Sequence, residues 1–91
     1  MKREKKVHIL EHILTQTVDE ESILLDTQRE LYFGLDAIGC VMWEQLERDP
    51  SVEALKEYML AHYDVSQKEL EDDLVHFLNH LVENKLIRLE R

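Results

Sequence analysis

The chain has 91 residues, 44% apolar and 34% charged, with a formal net charge of −9. This composition fits one folded domain and excludes a disordered chain, and no apolar run approaches the roughly 20 residues of a bilayer span. The single cysteine, Cys40, excludes an intramolecular disulfide framework and suits a reducing compartment, so a soluble cytoplasmic protein is expected.

The charge is unevenly placed. Lys2, Arg3, Lys5 and Lys6 all fall in the first six positions, and Glu11 and His12 interrupt any hydrophobic stretch that would make "MKREKK" a signal peptide. Residues 1–8 are therefore expected to form a flexible basic tail on a single domain spanning 1–91. From Asp19 onward there are 18 acids against 7 bases, a balance of −11. Such a surface repels phosphate backbones, whose binding needs clustered Lys and Arg. A basic or apolar peptide is a better partner than a nucleic acid.

In chain order, Ile9 to Val18 is rich in β-branched and apolar residues and predicts a first strand, closed by the polar turn "VDEES". Ser22 to Asp26 predicts a second strand and Leu31 to Leu35 a third, with "TQR" between them. The third strand is expected at the edge of this meander, where unpaired N–H and C=O groups are a hazard unless used. Asp36 then predicts a helix N-cap, with Ile38, Val41, Met42 and Leu46 at helical spacing. Ile38, Met42 and Trp43 are expected to anchor the strand edge from that helix. Gly39 inside the helix costs about 1 kcal/mol relative to Ala, which predicts a close backbone contact there. Asp49-Pro50-Ser51 opens a second helix carrying Val52, Leu55, Met59 and His62 or Tyr63 on one side. Ser66 and Glu69 form a capping box for a third, with an apolar stripe of Leu70, Leu74, Phe77, Leu78 and Leu81. Asn84-Lys85 ends it, and Ile87 to Leu89 alternates like a short terminal strand. Three strands, three helices and a terminal strand predict a small α+β domain, and the order helix–helix–helix–strand is that of a winged helix-turn-helix.

Chemical candidates are few. His76 and His80 stand at i, i+4, a spacing that can hold zinc, but no Cys or second His pair completes a site, so solvated histidines are the simpler reading. Cys40 has no His nearby in sequence and no Gly-rich turn, and reads as packed. The run Glu69, Glu71, Asp72, Asp73 reads as a solvated helix N-terminus favoured by the macrodipole. No phosphate-binding loop, G-x-S-x-G or paired C-x-x-C is present. No enzyme, no catalytic residue, no metal and no cofactor is expected.

"LLD" at 24–26, "YFGLD" at 32–36 and "GCVMW" at 39–43 carry a resemblance. With Ser51-Val52, "YDV" at 63–65, the Leu-rich third helix and "LIRL" at 86–89, they resemble the PqqD family over about residues 12–90. Two positions depart from its pattern: Glu30 stands where Gly is usual, which predicts a turn without a left-handed residue, and Asp36 replaces Asn but keeps the capping oxygen. The resemblance implies a RiPP recognition element, a winged helix-turn-helix fronted by a three-stranded sheet. Such domains bind the leader segment of a ribosomal precursor peptide as an antiparallel strand, in the cleft between the third strand and the third helix. Carried over, the strand residues are Arg29, Glu30, Leu31, Tyr32, Phe33 and Gly34, and the helix wall is Leu70, Asp73, Leu74, His76 and Phe77, with His80 beside them. Glu69, Asp72 and Asp73 are placed to pair with basic leader residues. Among stand-alone members, the resemblance favours the lasso-peptide B1 type, which delivers its precursor to a separate leader peptidase. The alternative is a PqqD-type chaperone for a radical SAM enzyme in pyrroloquinoline quinone synthesis. A winged-helix DNA-binding regulator is the rival class, opposed by the lack of Lys or Arg between Lys68 and Lys85. An open edge strand also predicts weak pairing with a second copy, and no membrane partner is expected.

Overall fold

Period-two alternation begins earlier than expected. The computed structural model describes residues 5–19 and 21–90. Within it Lys6–Ile9 is a strand, β1, rather than the end of a flexible tail; residues 1–4 of that expected tail lie outside the described residues. Val7 and Ile9 pair with Leu89 and Ile87 of the terminal strand β5 (Ile87–Glu90), so apolar residues meet across one face of a two-stranded ribbon. Val7 and Ile87 are buried there. The basic residues of this segment mask its alternation. The expected strand from Ile9 breaks at Leu10–His12, where the Ile13 N–H donates to the Leu10 carbonyl at 3.1 Å.

The predicted meander follows as β2 (Ile13–Val18), β3 (Glu21–Asp26) and β4 (Leu31–Leu35), antiparallel in the order β2-β3-β4. Its inner rows are Ile13–Asp26–Leu31, Thr15–Leu24–Phe33 and Thr17–Ser22–Leu35. Leu24, Ser22 and Asp26 in the middle of these rows are fully buried.

Helix α1 (Ala37–Arg48) packs on that face. Asp36 caps it, its Oδ1 accepting from the Gly39 N–H at 2.7 Å. Trp43 is fully buried and donates its indole N–H to Thr15 Oγ1 at 2.9 Å, and Cys40 lies buried 2.7 Å from Ser22 Oγ. Met42 is buried as expected, but Ile38 is 45% exposed and anchors nothing in the core. One residue per turn points outward on any helix packed on one side, and Ile38 takes that place. Helix α2 (Val52–His62) is capped by Ser51, whose Oγ accepts from the Ala54 N–H, and buries Leu55 and Met59.

Helix α3 (Gln67–Glu83) starts at the Ser66–Glu69 box and buries Leu70, Leu74, Leu78 and Leu81. It ends in a Schellman motif. Lys85 is left-handed at φ 60°, its N–H reaches the Val82 carbonyl and the Leu86 N–H the Leu81 carbonyl, with Leu81 and Leu86 both buried. The three-stranded sheet, three helices and terminal strand form the expected winged helix-turn-helix, with β1 added to the wing.

The β3–β4 turn differs from expectation in one respect. Glu30 has φ 57°, so the turn does contain a left-handed residue, and a side chain occupies the position. That backbone costs a residue bearing a Cβ roughly 1–2 kcal/mol, partly offset because Gly has more freedom to lose on folding. Glu30→Gly is therefore expected to stabilise the domain by about 0.5–1 kcal/mol, a rise in melting temperature of about 2–8 °C. A melting temperature at or below wild type would show that Glu30 makes a compensating contact.

Candidate functional site

Strand β4 pairs only with β3 among the described residues, so alternate backbone N–H and C=O groups along its other side are unpaired. Such an edge accepts a further strand through main-chain hydrogen bonds. The register settles which side chains face where. Leu31, Phe33 and Leu35 lie on the same side as buried Asp26, Leu24 and Ser22, toward the helices. Tyr32, 73% exposed, and Gly34 lie on the outer face.

Asp26 closes the turn before this strand. Its Oδ1 accepts from the Gln28 and Arg29 backbone N–H groups at 3.0 and 2.9 Å, and its Oδ2 accepts from Arg29 Nε at 2.6 Å. Burial alone pushes the Asp26 carboxyl up, but the two Arg29 hydrogen bonds and the Gln28 N–H outweigh it and hold the group below its ordinary value of 3.8. A carboxylate lowered in this way contributes stability that is present above the unfolded value and lost as pH falls through the folded one. Wild-type stability is thus expected to decline below about pH 3.8, and Asp26→Asn to remove part of that slope. Parallel pH profiles in urea unfolding would exclude Asp26 from the acid response.

Arg29 also donates from Nη2 to the Asn84 carbonyl at the end of α3, and its guanidinium lies 5.9 Å from the centroid of the Phe33 ring. At the other end of β4, Gly39 sits where strand, α1 and α3 converge. A Cβ there would meet the capping oxygen Asp36 Oδ1 at 3.1 Å and lie in ordinary contact, at 3.5 Å, with Leu35 Cβ and Phe77 Cε1. The crowding at this glycine thus comes from side chains, the cap oxygen first, rather than from a neighbouring backbone. The two meeting points define a cleft. Leu31 to Leu35 covers about 13 Å, and Asn84 back to Phe77 about 10 Å of helix, so the two meeting points bracket comparable lengths of β4 and α3. At 100° per residue, Asp73, Phe77, His80 and Asn84 share one stripe of α3 facing β4.

The predicted residues divide accordingly. Leu31, Phe33 and Phe77 border the cleft, Asp73 is exposed one turn beyond Phe77 on the same stripe, and Arg29 and Glu30 form the turn at the other end. Tyr32 and Gly34 lie on the outer face of the sheet, away from it. Leu70 and Leu74 are buried in the core, and Leu74, about 60° round α3 from Phe77 on the side away from β4, lines a groove of about 400 Å³ with Val52, Lys56 and Leu89. His76 is exposed beyond the stripe. Leu35, His80 and Asn84 belong to the cleft; the last two are findable as the i+3 and i+7 neighbours of Phe77. Among the described residues, no group of three or more His, Cys, Asp or Glu is placed to hold a metal ion. No helix among them is long and apolar enough to cross a membrane.

A winged helix-turn-helix with an open sheet edge laid along its last helix defines a small strand-accepting domain. The family described as "Coenzyme PQQ synthesis protein D (PqqD)" matches residues 21–87, and the chain belongs to this family. Among solved structures, "TbiB1 in Complex with the TbiA(beta) Leader Peptide" is 33% identical, with a TM-score of 0.86, covering 89% of this chain and 94% of that one. "Lasso peptide synthetase B1 complexed with the leader peptide" is 19% identical, with a TM-score of 0.82 over 91% of this chain and 98% of that one. No curated protein matches the chain.

Proposed function

We propose that this protein is a RiPP recognition element of the lasso-peptide B1 type. It captures the leader of a ribosomal precursor as a strand added to β4 and delivers it, without catalysis of its own, to a separate leader peptidase. The observation that carries this reading is the open β4 edge beside the Phe77 stripe of α3, in a chain similar to a B1 protein solved with its leader. Main-chain hydrogen bonds supply affinity, and the apolar pocket between Phe33, Leu35 and Phe77 selects side chains of alternate leader residues. Leu70, Leu74 and His76 support the wall or stand outside it rather than touch the peptide. The 33% identity to TbiB1 favours this branch over a chaperone for pyrroloquinoline quinone synthesis. A charge of −9 opposes DNA as a ligand. The free edge also permits weak self-pairing, which leader would displace.

The test is a titration of purified protein with synthetic leaders, the TbiA(beta) leader and those of precursor genes beside its own, with duplex DNA and zinc in parallel. Saturable leader binding at micromolar concentration or tighter is expected. No leader binding at tens of micromolar, or tight DNA binding, would overturn the reading.

A further inference from the structure

The cleft is spanned at one end by a single side chain. We propose that Arg29 is its positioning residue, tying the β3–β4 turn to the C-terminus of α3 so that the β4 edge and the α3 wall stand at the separation an added strand requires. This rests on the reading of the cleft as a peptide site.

Three contacts converge on the guanidinium: the carboxylate of fully buried Asp26, the Asn84 carbonyl and the face of Phe33. Among the described residues it is the only side chain hydrogen-bonded both to the sheet turn and to α3. Each end of the link is itself fixed. Asp26 also accepts the Gln28 and Arg29 backbone N–H groups, and its turn is bound to the start of β2 through Thr27, whose N–H and Oγ1 both donate to the His12 carbonyl. Asn84 donates its own N–H to the His80 and Val82 carbonyls and its side-chain amide to the His80 carbonyl, while its carbonyl stays free for Arg29. That carbonyl lies at the negative end of the α3 dipole, where a cation is favoured. A planar fork serves a carboxylate, a carbonyl and an aromatic face together, whereas an ammonium is a point charge on a flexible stem. Arg29 thus stands between sheet and helix at the Leu31 end, as the Gly39 contact stands at the Leu35 end. An incoming strand meets a gap already set.

The experiment compares wild type, Arg29→Ala and Arg29→Lys, using a fluorescent leader that binds wild type and amide hydrogen exchange along β4. Both variants are expected to bind the leader at least tenfold more weakly, with Arg29→Lys not restoring affinity. Amides of β4 bonded to β3 are expected to keep wild-type protection, while those that leader protects in wild type lose it. Unchanged affinity in a folded Arg29→Ala protein would overturn the proposal. So would loss of both sets of protection together, which is the mark of a residue that only stabilises the sheet. The link is also checked without leader: a slowly exchanging Arg29 Nε–H resonance, absent in Asp26→Asn, is expected by NMR. If that resonance is not protected the clamp is wrong; if wild type binds no leader, the fault lies with the functional reading.

Discussion

Trp43→Ala is expected to remove about 3–5 kcal/mol of stability, the usual cost of truncating a buried tryptophan. A domain of this size has roughly 5–10 kcal/mol to lose, so the variant should be largely unfolded at modest urea. The reason is where the ring sits. Trp43 is fully buried beneath the Thr15–Leu24–Phe33 row, the middle row of the sheet's inner face. Its indole N–H to Thr15 Oγ1 fixes the slope of α1 against β2, and Thr15 in turn donates to Glu47 on the next turn of the helix. Removing the ring therefore loosens the sheet, the helix and the edge together. Trp43→Phe, which keeps most of the volume and loses the donor, is expected to cost about 1–2 kcal/mol. Ile38→Ala on the exposed side of the same helix should cost less than about 0.5 kcal/mol. Far-UV circular dichroism with urea reads all three. A cooperative transition of Trp43→Ala at the wild-type midpoint would place the centre of the core elsewhere.

How far a residue's place can be read from the sequence depends on how local its cause is. Asp36, Ser51 and Ser66 are legible as caps because a capping oxygen and the N–H it satisfies lie within three residues of each other. The edge position of β4 is legible because it is the last strand of a meander and three helices separate it from the short terminal strand. The wing strand β1 is not. Val7 and Ile9 alternate over four residues inside a basic stretch, and their partners Leu89 and Ile87 lie at the far end of the chain. Glu30 misleads for a different reason. Absence of Gly argues against a left-handed residue on average, yet the Asp26 hydrogen bonds fix the turn tightly enough to hold Glu30 there. On α3, the apolar stripe is plain, but hydropathy does not distinguish its two edges. The fold separates Leu74, facing the wing groove, from Phe77, facing β4. Asn84 gives no signal of its own, because its place comes from sharing Phe77's stripe, whereas His80 stands out already beside the residues carried over to the helix wall.

That separation decides the sharpest binding experiment. Leu74→Asp would bury a carboxylate in the core and unfold the protein, so a loss of binding would say nothing about the cleft. Phe77→Ala is the better variant. Phe77 is half-buried, supported by the core behind it and presented beside Leu35 and Gly39, so its removal should leave the fold intact. Half-exposed aromatic residues in a pocket are frequent anchors of binding energy, worth about 2 kcal/mol or more when truncated. Leader affinity is therefore expected to fall roughly 30-fold, since about 1.4 kcal/mol corresponds to a factor of ten. His76→Ala, one residue earlier but outside the β4-facing stripe, should bind as wild type does, and Tyr32→Ala, on the outer face of the sheet, should lose much less than Phe77→Ala. This ordering distinguishes a leader seated between β4 and α3 from one lying on the outer face of the sheet. Equal affinity for wild type and folded Phe77→Ala, with Tyr32→Ala defective, would move the peptide to that outer face. An effect at His76 as large as at Phe77 would instead place the peptide over the solvent side of α3.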